Sequence, residues 1–107
     1  MTVHKLLRIY TDESAFSGDR RLFEVIAERA RDAGLAGATV LDARLGFGRS
    51  AHVRRRHILE NERSVVIEII DEEAKLRSFV ASLAGFHGIG LITVEAIELI
   101  FLPTEAA

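Results

Sequence analysis

The chain has no cysteine, so disulfides, thiolate metal sites and a cysteine nucleophile are all excluded. No apolar run approaches the roughly 20 residues that cross a bilayer, so the protein is not expected to be membrane-embedded. The N-terminal stretch turns acidic at Asp12 and Glu13 after a handful of apolar residues, and it has no small-residue cleavage site. An export signal is therefore not expected, and the cytoplasm is the expected compartment. Proline occurs once, as Pro103, where it is placed to stop a last strand. What is present is 49% hydrophobic content in 107 residues, enough for one domain around one core.

The net charge of −2 conceals an asymmetry. Between Arg49 and Arg63 five arginines face two glutamates, a local +3, and the rest of the chain carries nine basic and fourteen acidic side chains, or −5. A mildly acidic body with one basic segment argues against a broad nucleic-acid face and allows a local anion site.

Lys5 to Thr11 alternates, with Leu7 and Ile9 on one face, and predicts a first strand. Asp12 to Gly18 carries turn chemistry. From Asp19 to Ala33, the residues Leu22, Val25, Ile26, Arg29, Ala30 and Ala33 recur at spacings of three and four. That predicts an amphipathic helix with Arg29 as a polar interruption, Asp19 either capping its start or favouring its N-terminal dipole, and Gly34 as a left-handed terminator. Ala38 to Phe47 predicts a second strand, and the β-branched run Ser64 to Ile70 a central third one. Asp71 is placed to cap a second helix with the stripe Leu76, Phe79, Val80, Leu83 and Ala84, which Gly85 can end. Leu91 to Leu102 predicts the last strand.

This β-α-β-β-α-β order is that of an α+β, ferredoxin-like sandwich, a four-stranded antiparallel sheet with two helices on one face. One domain over residues 1–103 is expected, followed by a tail over 104–107. Helices cover only one face of such a sheet. The remaining apolar strand positions therefore point to burial against other copies of the chain.

A fold of this kind hosts many activities, so residue types must decide among them. The third strand lacks the aromatics on which an RNA-recognition motif stacks bases, and no nucleic-acid partner is expected. There is no Cys-x-x-Cys for carrying a soft metal, and the acidic loop after the first strand does not suit an acylphosphatase-like phosphate cradle. No Ser-His-Asp grouping or paired-carboxylate motif can be assigned, so no catalytic residue and no enzymatic activity are expected.

His52 and His57 are five apart, off a shared helical face, with no carboxylate between them at ligand spacing. They read as solvated loop histidines, with a shared metal or anion role as the alternative. Arg54, Arg55 and Arg56 are consecutive. Either they solubilise a loop, or part of the cluster grips a phosphate-bearing ligand or an acidic protein surface. Gly46 and Gly48, and Gly85, Gly88 and Gly90 from the other connector, allow backbone N–H groups to approach an anion, with ordinary turns as the alternative.

Five motifs, Ile9-Tyr10-x-x-Glu13, Gly37-Ala38-Thr39-Val40, Gly46-Phe47-Gly48, Val66-Ile67-Glu68-x-x-Asp71 and Gly90-Leu91-Ile92-Thr93, span nearly the whole chain. Together they resemble a bacterial and archaeal family of uncharacterised PII-like proteins. More distantly, Gly37-x-Thr39-Val40 followed by Gly46-Phe47-Gly48-Arg49 is similar to the second strand and T-loop start of the PII nitrogen-signalling proteins. The resemblance implies a homotrimer that binds an adenine nucleotide between subunits. Its T-loop-like segment, residues 49–63, would touch a membrane transporter or an enzyme.

By position, the resemblance implies that Gly37, Thr39, Gly46, Phe47, Gly48 and Arg49 line one wall of the cleft, and His87, Gly88 and Gly90 the other. Phe47 is equally readable as core. His52, Arg54, Arg55, Arg56 and His57 would form the partner-binding part of the loop.

The departures from PII narrow this. The Thr39 to Gly46 segment is one residue longer, predicting a bulge or register change. Ser50 and Ala51 replace the glutamine and lysine that follow the glycine-flanked Phe-Gly-Arg, the connector lacks a lysine, and the last strand lacks arginines. The loop has no tyrosine for uridylylation. A PII-type ATP site is largely dismantled, leaving a smaller nucleotide, AMP or ADP, as the implied ligand. The expectation is a trimeric regulator whose ligand biases the 49–63 segment between mobile and ordered states. A ligand-independent trimeric adaptor and an enzyme acting on a small metabolite are the alternatives.

Overall fold

A computed structural model describes residues 3–43, 45–46, 54–55 and 64–100. In chain order the elements are strand β1 (His4–Asp12), a small hairpin of β2 (Phe16–Ser17) and β3 (Arg20–Arg21), and helix α1 (Leu22–Asp32). There follow β4 (Thr39–Asp42), the paired strands β5 (Leu45–Gly46) and β6 (Arg54–Arg55), then β7 (Ser64–Glu72), α2 (Glu73–Ser82) and β8 (Leu91–Ala96). The main sheet is antiparallel throughout, in the order β4-β7-β1-β8. This is the expected ferredoxin-like arrangement.

The alternation read from the sequence decides which face is covered. Leu7 and Ile9 of β1 and Ile67 and Ile69 of β7 are buried together with Leu22, Ile26 and Ala30 of α1 and Leu76, Phe79 and Leu83 from α2 and its end. Each such large side chain contributes roughly 1.5–3 kcal/mol on burial, so this single layer carries the fold. Arg29, the polar interruption in the first helix, stays at the rim. Its guanidinium lies 4.8 Å from the centre of the Phe86 ring and donates to the Ser82 carbonyl at 3.2 Å, tying α1 to the end of α2.

Four boundaries differ from the sequence reading. Helix α1 starts at Leu22 with Arg21, not Asp19, as its cap residue, because residues 16–21 fold into the β2–β3 hairpin. Gly18 makes the turn of that hairpin at φ +65. Gly34, at φ +80, ends the helix region as expected.

Asp71 belongs to β7 and not to the cap of α2. That position is Glu72, without a side-chain capping bond, and the Glu73 N–H reaches the Val3 carbonyl instead. The second strand is interrupted after Asp42, where Ala43 still donates to the Ser64 carbonyl at 2.8 Å before Leu45–Gly46 turns to pair with Arg54–Arg55. The last strand stops at Ala96 and not Leu102. The 49–63 segment lies outside the described residues except for Arg54 and Arg55, as does the 104–107 tail. No described helix is long and apolar enough to cross a membrane.

Candidate functional site

The motifs that stood out in the sequence are joined to one another in space. Tyr10 lies opposite Val66 on one side and Leu91 on the other, Ile9 opposite Ile67 and Ile92, and Thr39 opposite Glu68. The Gly90 N–H donates to the Tyr10 carbonyl at 2.8 Å. The Asp71 carboxylate accepts the Ala36 N–H at 2.9 Å and the Glu72 N–H at 2.7 Å, and so holds the backbone just ahead of Gly37. Burial by itself would raise the Asp71 pKa. The two backbone donors, helped by the nearby Lys75 and His4 side chains, outweigh it and hold the carboxyl below its ordinary range.

The connector Phe86–Gly90 is fastened equally firmly. Thr11 donates its hydroxyl to the Gly88 carbonyl at 2.7 Å. Gly88 has φ +104, and a Cβ there would stand 2.8 Å from the Ala15 Cβ and 3.3 Å from Leu22 Cδ2. Its glycine therefore has a packing reason of its own. Gly88→Ala is expected to destabilise the fold by about 1.5 kcal/mol, from backbone strain and overpacking together, as read from the midpoint of urea unfolding.

Of the residues assigned to a ligand cleft, Gly37 and Thr39 stand exposed at the start of β4, with open space where a Gly37 side chain would be. Gly46 lies in the separate β5–β6 pair that follows β4, its backbone paired to Arg54. His87, Gly88 and Gly90 lead into β8. Phe47, Gly48, Arg49, His52, Arg56 and His57 lie outside the described residues.

β4 and β8 are the two opposite edges of the sheet. Three strand spacings, about 14 Å, separate them. A single chain thus holds both candidate walls at opposite edges of its sheet.

The sheet face away from the helices carries a feature that the sequence reading missed. Arg8 lies near its middle, donating to Glu68 at 3.0 Å and to Glu95 at 2.6 Å. Around this group stand Leu6, Tyr10, Val66 and the exposed Leu41, Ile70 and Leu91. Two carboxylates on one guanidinium leave the cluster with a net −1. The signal was available, because Arg8, Glu68 and Glu95 all fall on the uncovered parity of their strands once the register is known.

A groove of about 200 Å³ between the end of α1 and α2, lined by Ala33, Leu35, Lys75, Ser78, Phe79 and Ser82, contains none of the expected site residues. Among the described residues no three His, Asp or Glu side chains converge as a metal site would need.

The class is that of a ferredoxin-like α+β domain whose candidate residues are divided between the two edges of its sheet. Residues 4–99 match the DUF190 family, described as "Uncharacterized ACR, COG1993". The chain is also 41% identical over 100 residues to the UPF0166 protein of Aquifex aeolicus (strain VF5), which covers 92% of this chain and 94% of that protein. The chain belongs to this uncharacterised family, in agreement with the membership read from its motifs.

Proposed function

We propose that the protein is a PII-like homotrimeric regulator, non-catalytic, that takes an AMP-like adenine nucleotide or another small anionic effector in clefts between subunits. It uses its basic 49–63 segment to engage a partner protein, a membrane transporter or an enzyme. The observation that carries this reading is the division of the candidate walls. Gly37 and Thr39 stand at one sheet edge, with Gly46 in the β5–β6 pair that follows it, while His87, Gly88 and Gly90 lead into the other edge. Only a second copy can set them face to face.

The apolar open face, with Leu41, Ile70 and Leu91 each more than 40% exposed, supports burial against other copies. Residues 86–96 contain no lysine or arginine, so the positive charge for a phosphate has to come from Arg49, Arg54, Arg55 and Arg56. Transmission is differential: the effector binds one state of the 49–63 segment better than the other.

Calorimetric titration with AMP, ADP and ATP, at a protein concentration where light scattering reports a trimer, tests the reading. One molecule of AMP or ADP per subunit is expected. No heat with any of the three removes the nucleotide and leaves a ligand-independent adaptor, whereas a monomer in light scattering removes the inter-subunit cleft altogether.

A further inference from the structure

The run Ile97-Glu98-Leu99-Ile100 has the composition of a strand but not the pairing of one. Its partner runs out. Ala96 lies opposite Lys5, β1 begins only one residue further at His4, and the Val3 carbonyl is already taken by the Glu73 N–H at 2.9 Å. No described strand lies beside residues 97–100, and Ile100 is 84% exposed. At the opposite edge of the sheet, β4 has no described strand on its outer side, and all four of its residues are exposed. About 14 Å of sheet lies between the two edges, so residues 97–100, which follow directly on β8, lie far from the β4 of their own chain.

We propose that residues Ile97–Ile100 of one copy add as an antiparallel strand to the outer edge of β4 in the next copy. This rests on the assembled reading above and specifies its contact. The register follows from which side chains share a face. Ile92, Val94 and Ala96 lie on the helix side, across from Ile9, Leu7 and Lys5, and so do Val40 and Asp42, across from Ile67 and Val65. Partners across a ladder share a face, so Leu41 must meet an odd-numbered residue of the last strand.

Leu41 opposite Leu99 would set Asp42 against Glu98, like charges directly opposed. Leu41 opposite Glu95 would press an apolar side chain on a carboxylate that Arg8 already holds. Leu41 opposite Ile97 avoids both, and it pairs Thr39 with Leu99, Val40 with Glu98 and Asp42 with Ala96.

Carried one residue past β4, where Ala43 still bonds to Ser64, the same register sets Ala43 of one copy opposite Glu95 of the next, with Gly90 five residues further back along that chain. The connector of one copy thereby comes to the β4 side of its neighbour, which is the juxtaposition a single chain lacks. Each copy gives one edge and receives at the other. That is a head-to-tail contact, the kind a closed ring of three requires.

The absence of native cysteine makes the test direct. The double variant Leu41→Cys/Ile97→Cys, oxidised and run on a non-reducing gel, is expected to give covalent dimers and trimers, while Leu41→Cys/Leu91→Cys is expected to give none. In the wild-type protein, a peptide spanning residues 97–100 is expected to be protected from deuterium exchange in the trimer. Covalent oligomers from the second pair only, or from neither, overturn the tail-to-edge pairing if light scattering shows a wild-type trimer. So does free exchange of that peptide in the trimer. A wild-type monomer overturns this pairing together with the assembled reading on which it rests.

Discussion

Arg8→Leu is expected to weaken self-association about a hundredfold or more, measured by light scattering over a dilution series, while the melting temperature of the subunit changes little. In an isolated subunit the Arg8, Glu68 and Glu95 side chains are all partly exposed, and ion pairs so placed contribute little. Within an assembly that buries the open face, the same group sits in the middle of an apolar surface. Removing the guanidinium then leaves two carboxylates without water and without a partner, a far larger penalty. The contrast between the two readouts is diagnostic, since only burial of this face separates them. The triple variant Arg8→Leu/Glu68→Gln/Glu95→Gln leaves no charge behind and is expected to recover most of the association. Unchanged association in Arg8→Leu would mean that the open face is not the one copies bury.

Asp71→Asn acts on the subunit itself. The carboxylate accepts two backbone N–H groups at a site only 6% exposed, and an amide of the same shape turns a donor toward one of them. Loss of a charge-assisted bond and an unsatisfied backbone N–H together are expected to cost about 2–3 kcal/mol at neutral pH, read from chemical unfolding. The sign of the pH dependence follows from the depressed pKa. The contribution of Asp71 is complete above its unfolded value of about 4 and is lost as pH falls through the lower folded value. The gap between wild type and Asp71→Asn is therefore expected to close on acidification through that window and to stay constant from pH 6 to 8. Because Ala36 precedes Gly37, the variant is also expected to loosen the start of β4.

The order of elements was legible because each long element repeats its own period. Leu7 and Ile9 alternate, and Leu22, Ile26 and Ala30 recur at helical spacing. The small hairpin was not legible, because two-residue strands carry no period and Asp19 resembles a helix cap. Asp71 misled in the same way, being a capping residue type used to hold a distant backbone N–H. The end of the last strand could not be read from residues 97–102, since what stops it is where β1 begins. Gly37, Thr39, Gly88 and Gly90 could be picked out from the motifs, and the topology alone places them on opposite edges. The contact of Gly88 with Ala15 and Leu22 is tertiary, so a glycine that resembled a ligand cradle also proved to be a packing requirement. Arg8 passed unnoticed because one charged residue in an alternating strand looks like an ordinary solvent position.

The two edges of the sheet, beside which no described strand lies, have a consequence for solubility. A head-to-tail contact ends only when the rotation from one copy to the next closes on itself; at any other angle it grows into an open fibre. Exposed β-edges are natural templates for such growth, and here β4 is only four residues long, which limits the pairing available to a wrong partner. The angle between copies therefore matters as much as the strength of their contact. If copies pair as proposed, substitutions that change that angle would turn a closed ring into a polymer without loosening the fold of any copy.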